Sequence, residues 1–236
     1  MVGVLCTGLA AGLAACGDDP DAGTNGVGKL EPDTIQSRTV KAARSADAVR
    51  LAGTVVSGGK TYKLDMRLKD EGGTGSVTTG GSTFQLLRVD EHLFLKADAD
   101  FWSHSDDHAE GERSDGAAGD KLDGKYVKVP TGDPSYKRLS TFTDKDVLLD
   151  GLLTLHGTLA KGDRGTSGGV RTIALTGDEG SGGTLDVSLE GTAYPMRLER
   201  AGGAGTLQLT EWGHDFALDE PTSDDTVDYG RQLPDS

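Results

Sequence analysis

Cysteine is nearly absent from this chain: Cys6 and Cys16 are the only two in 236 residues. Cys6 falls in an apolar leader, so a processed protein holds no thiol pair, and no disulfide can staple it. Aromatic residues make up 5% of the chain, whereas glycine reaches 36. That imbalance argues for short hairpins and modest ring packing and against a conventional helical enzyme. Basic residues are also scarce, 24 against 38 acidic, which gives a formal charge of −14. Such a field disfavours a phosphate backbone, and no basic aromatic patch opposes it, so nucleic acid is excluded as a partner. Catalytic signatures are missing too. Ser76, Ser181 and Ser188 lie in no Gly-x-Ser-x-Gly elbow, and the glycine pairs lack a P-loop lysine-serine context. Carboxylate pairs on so acidic a surface arise by chance. The expectation is a protein that is not an enzyme and carries no cofactor.

Residues Val2 to Ala15 contain no charged group. They are too few to span a bilayer, which takes roughly 20 apolar residues, but they have the length of a signal-peptide core. Leu13-Ala14-Ala15-Cys16 ends the run, and Asp18-Asp19-Pro20-Asp21 follows at once. That pattern is similar to the lipobox of bacterial lipoproteins, in which the cysteine is acylated and becomes the mature N-terminus. Residues 1–15 are read as a lipoprotein signal peptide truncated at its start, because its positive n-region is missing. Residues 16–32 are read as the lipidated Cys16 and a flexible tether, whose contour approaches roughly 50 Å at full extension. The implied partners are the membrane, through acylated Cys16, and lipoprotein-processing enzymes. The implied location is the outer face of the cell membrane.

The remaining 33–221 form one domain with a substantial core, and 222–236 a polar acidic tail. Asp33 to Arg50 has helical spacing at Ile35, Val40, Ala43, Ala46 and Val49, with Asp33 placed to cap it. From Val49 the period becomes two. Tyr62, Leu64, Met66 and Leu68 alternate with Lys63, Asp65, Arg67 and Lys69, and further hairpins follow through Ala97. Residues 99–124 break the rhythm, Tyr126 to Val129 resumes it, and 134–153 returns to helical spacing. A second strand series comprises 155–160, 170–176, 184–189, 194–200 and 206–212, punctuated by Gly168-Gly169, Gly182-Gly183 and Gly202-Gly203. No long βαβ crossover appears, so a parallel nucleotide-binding sheet is not expected. The expected fold class is α+β: a strongly curved antiparallel half-barrel with helices packed on its concave face.

A curved sheet filled by aliphatics and few rings has room for an apolar ligand between its layers. Candidate wall residues are Leu64, Met66, Leu68, Leu86, Leu95, Leu185, Val187, Leu189, Met196 and Leu198. Burying a long acyl chain there is worth about 10 kcal/mol before ordering costs, at about 0.8 kcal/mol per methylene. Trp102 and Trp212 are expected to pack structurally, with Gly213 permitting a bend. His104, Asp106, Asp107 and His108 are the one concentrated metal-like set, but their stretch reads as solvated loop and no metal is assigned.

Val49 to Lys69, FLKADADFW at 94–102, GKYVKVP at 124–130 and LQLTEWG at 207–213 resemble the LppX/LprG lipoproteins of mycobacteria and other actinobacteria. In that family a Trp-Gly pair precedes a short terminal strand and a proline. Here Trp212-Gly213 precedes Phe216-Ala217-Leu218 and Pro221. The resemblance implies a LolA-like half-barrel, some of whose members hold a lipid or glycolipid inside. Joined to the residue patterns, it gives a membrane-tethered protein that binds or carries a lipid or other long apolar ligand without catalysis. The alternative is a non-catalytic envelope module that meets a protein partner through its acidic surface and the 99–124 loop.

Overall fold

A computed structural model describes residues 20–104 and 121–228. The leader, Cys16, Asp106, Asp107, His108 and the last eight residues lie outside that range, as does the side chain of His104.

Helix α1 spans Pro32–Arg44. Pro32 takes the first helical position, where its missing N–H costs nothing and its fixed φ suits the helix. Asp33 therefore sits inside the first turn rather than capping it, where its charge still favours the helix dipole. The helix also ends earlier than its period suggests, because Ala48 already belongs to a strand.

Two meanders build the sheet. The first comprises β1 (Ala48–Ser57), β2 (Lys60–Lys69), β3 (Gly72–Thr79), β4 (Ser82–Val89), β5 (His92–Ala97) and β6 (Tyr126–Val129). The second comprises β7 (Leu159–Ser167), β8 (Val170–Gly177), β9 (Thr184–Ser188), β10 (Pro195–Glu199) and β11 (Gly205–Thr210). They join where β1 pairs with β11, from Arg50 opposite Thr210 to Val55 opposite Gly205. With β12 (Thr226–Asp228) the order is β12-β6-β5-β4-β3-β2-β1-β11-β10-β9-β8-β7, which among the described residues makes one curled sheet of twelve strands. All pairs are antiparallel except β12 with β6. The short helix α2 (Ala99–His104) follows β5, and α3 (Pro134–Ser140) and α4 (Lys145–Leu153) connect the two meanders. No helix among the described residues is long and apolar enough to cross a membrane.

Strand period and register place the apolar residues on one face. Leu95 lies opposite Leu86, Leu86 opposite Gly75, Gly75 opposite Met66, Met66 opposite Leu51 and Leu51 opposite Leu209. A second row runs Leu207, Leu198, Leu185, Leu175. Ile35 and Ala43 of α1 and Leu149, Leu152 and Leu153 of α4 join these side chains in one buried cluster. The opposite face is charged. There Arg50 lies between Asp65, at 2.8 Å, and Glu211, which also takes Arg67 at 2.8 Å. Arg50 draws the Asp65 carboxyl below its ordinary pKa, chiefly through their hydrogen bond.

Buried cation contacts fix the helices at one end of the sheet. Lys145, 3% exposed, donates from Nζ to the Ala46 carbonyl at 2.6 Å and pairs with Asp70 at 2.6 Å. One ammonium thus ties α4 to the exit of α1 and to the β2–β3 turn. Arg88 donates to the Thr143 carbonyl at 2.9 Å, holding the α3–α4 connection to β4. Gly73 permits this approach, since a Cβ there would lie 2.5 Å from Leu68 Cδ2 and 3.2 Å from the Thr143 carbonyl oxygen. Lys145→Met keeps the apolar stem but leaves the Ala46 carbonyl unpaired. We expect about 2–3 kcal/mol of destabilisation, or roughly 4–12 °C in thermal midpoint for a domain of this size. A midpoint within a degree of the parent would show the clamp to be dispensable.

Several elements differ from the sequence expectation. The first strand of the second series starts at Leu159 and extends through Lys161 to Thr166, all exposed. Strand β12 lies in the segment expected as acidic tail, while Phe216 to Leu218 forms no strand. Residues 21–30 belong to the expected tether, yet they are bonded into the domain. The Asn25 backbone N–H donates to the Leu189 carbonyl at 2.8 Å, and its side-chain amide donates to the Ser188 and Gly191 carbonyls. Val27 is fully buried in the core cluster.

Candidate functional site

The candidate site is the layer between the apolar sheet face and the helices. Leu64, Met66 and Leu68 reach it from β2, Leu86 from β4, Leu95 from β5, Leu185 and Val187 from β9, and Leu198 from β10. Leu189, just after β9, joins them, and all are buried in the same cluster. Met196 does not join it. A register irregularity between Pro195 and Arg197 displaces Met196 from the regular alternation, and it is half-buried outside the cluster.

One end of this layer is aromatic. Phe84 of β4 meets Phe101 of α2 at 5.5 Å, and Phe101 meets Trp102 edge-on at 5.2 Å. Tyr62 of β2 meets Phe142 at 5.7 Å. Trp102 and Trp212 both pack against the core cluster, at different places. Trp212 stacks on Tyr194 at 4.8 Å and donates from Nε1 to the Pro195 carbonyl at 3.0 Å. Gly213 turns with φ 72° and donates to the Ala48 carbonyl at 2.9 Å, so Trp212-Gly213 ties the end of β11 to the start of β1 and to the β9–β10 loop.

Among the described residues, Gln36 Oε1 and Thr39 Oγ1 on α1 and Trp102 Nε1 on α2 are buried polar atoms that lack a hydrogen-bond partner. Thr39 is wholly buried and lies one turn from both Ile35 and Ala43 on the sheet-facing side of the helix. An unpaired buried hydroxyl or N–H costs about 1–3 kcal/mol, and a ligand oxygen beside it would recover that cost. Sequence reasoning read α1 only through its apolar positions and so passed over Thr39 and Gln36. The available signal was a polar residue at the centre of an apolar i, i+4, i+8 stripe. We expect Thr39→Val to raise the stability of ligand-free protein by about 1 kcal/mol and to lower retention of an oxygen-bearing apolar ligand severalfold. Denaturant titration and ligand counting check both, and a variant unchanged in both would remove Thr39 from the site.

Outside this layer the chemistry is that of a charged surface. A cleft of about 630 Å³ is lined by Asp70, Glu71, Arg88, Asp90, Glu91, His92 and Glu220. His92 Nδ1 contacts the Glu220 carboxylate, fastening the C-terminal segment beside β5. A small pocket of about 50 Å³ includes His156, Gly182, Gly183 and Arg200. Burial pushes the Asp186 carboxyl above its ordinary pKa, and nearby Arg197 opposes that shift. Among the described residues, no group of three or more His, Cys, Asp or Glu is arranged to hold a metal ion.

No protein-family model matches the chain, and no curated protein matches it. Solved structures do match. LprF from Mycobacterium bovis is 14% identical over 81% of this chain and 97% of its own, with a TM-score of 0.54. The Mycobacterium tuberculosis lipoprotein LppX is 15% identical over 80% of this chain and all of its own, with a TM-score of 0.45. The likeness to LprF establishes a shared fold.

Proposed function

We propose that this chain is an exported lipoprotein, acylated at Cys16, which binds or carries a lipid or other long apolar molecule between its curled sheet and its helices. The observation that carries the proposal is the apolar face continuous across both meanders, with unpaired Thr39, Gln36 and Trp102 atoms in the buried layers. The LprF fold supports it, as does the sequence resemblance to lipoproteins that hold lipids. The walls are Leu64, Met66, Leu68, Leu86, Leu95, Leu185, Val187, Leu189 and Leu198, with the helices on the concave side. Binding requires no catalysis. Hydrophobic transfer supplies the affinity, and a few polar atoms orient the ligand. Residues 17–236, purified from a lipid-containing host, should show a reproducible apolar adduct by native mass spectrometry. Protein that is always empty, with an interior filled by its own side chains, would overturn the proposal.

A second reading rests on the acidic cleft at Asp70, Glu71, Asp90, Glu91 and Glu220. It makes the chain an envelope module that meets a protein partner through this surface and the 99–124 loop. Crosslinking in cells should then give one dominant partner, lost when that loop is shortened.

A further inference from the structure

We infer that the domain faces the membrane with the end formed by its β7–β8 turn and β9–β10 loop, which lie against the lipid headgroup layer. The inference rests on the proposed acylation of Cys16. Arg164 pairs with Asp21 at 2.8 Å, and Arg171 donates to the Gly23 carbonyl at 2.9 Å. Asn25 then bonds Ser188 and Gly191, so the chain is fixed to this end of the sheet from Asp21 onward. Asp21 stands five residue steps after Cys16 in the sequence, with four residues between them. A stretch of that length reaches at most roughly 17 Å even when fully extended.

The geometry that follows is asymmetric. Thr192, in the β9–β10 loop, adjoins the fixed segment through Gly191. The same loop meets Trp212, and Gly213 bonds Ala48 at the start of β1. Ser57 is at the other end of that ten-residue strand, roughly 30 Å further along at about 3.3 Å per residue. With the anchor held at one end by so short a linker, the headgroup layer is the surface that this end meets. A 50 Å tether would impose no such orientation.

The test uses the full acylated chain in vesicles of phosphatidylcholine and phosphatidylglycerol containing lipid with a nitroxide on its headgroup. Thr192→Cys and Ser57→Cys are each labelled with a small fluorophore. Quenching should be severalfold stronger at position 192 than at 57. It should fall at 192 when about twelve flexible residues are inserted after Asp19, which lengthens the reach by the square-root law of such linkers. Equal or reversed quenching in a chain whose intact mass confirms acylation would overturn this inference and leave the anchor standing. Quenching at 192 that ignores the insertion would also overturn it, because linker length would not then set the orientation. A chain without the acyl mass would remove the anchor reading and this inference with it.

Discussion

Gly205→Val should prevent the domain from reaching its native state, or cost it more than about 4 kcal/mol, the range reserved for severe backbone conflicts. Gly205 sits in the seam between the meanders with φ 118°, and a Cβ there would stand 2.0 Å from the Thr54 carbonyl oxygen. Neither a rotamer change nor a side-chain shift relieves a clash with backbone, so strands β1 and β11 must part. Gly53 meets the mirror condition, its Cβ position lying 2.2 Å from the Thr206 carbonyl oxygen. Parting this seam would separate Leu51 from Leu209 at the centre of the core. Circular dichroism and urea titration give the readout. A variant that melts with the parent would mean that the seam adjusts and that the two halves of the sheet do not depend on it. Gly202→Ala offers a comparison: nothing lies within 4 Å of its Cβ position, so its cost should be confined to its positive φ.

On the proposed acylation of Cys16, Cys16→Ser should transfer the protein from the membrane fraction to the soluble fraction almost completely. One acyl chain binds a bilayer only marginally, and two make the attachment durable. Serine offers no thiol for the thioether, so both chains are lost together. Membrane association should fall at least about a hundredfold, with loss of label from a radioactive fatty acid. Unchanged fractionation would show that another contact holds the protein at the membrane.

Strands whose two faces differ were legible from sequence. Leu64, Met66 and Leu68 against Lys63, Asp65 and Arg67 specify both the β2 strand and its orientation, because a slip of one residue would exchange buried and exposed faces. Strand β7 was not legible beyond Ala160. It is an edge strand exposed on both faces from Ala160 to Thr166, so no alternation marks it. Strand β12 is three residues long and pairs in parallel with β6, a contact that local pattern does not encode. Lys145 illustrates a different limit. A lysine suggests solvent, yet three-dimensional convergence of the Ala46 carbonyl and Asp70 holds its ammonium in a buried position. The burial of the other aliphatics expected at the wall was readable from strand period, but the displacement of Met196 was not, since the register irregularity beside Pro195 is a property of the backbone pairing. Docking of residues 21–30 was likewise hidden, because its bonds run mainly through backbone carbonyls and two distant arginines.

The seam also governs when the protein can fold. Val55 pairs with Gly205, so this pairing closes a loop of about 150 residues, and closure entropy must be met before its contacts are gained. The first meander can form hairpin by hairpin as the chain emerges, but β1 then waits as an open edge until β11 arrives. Long-range pairing of this kind slows folding and exposes strand edges. The interval between emergence of β1 and emergence of β11 is therefore the period in which the chain is most open to mispairing, and it is the period a chaperone would have to cover.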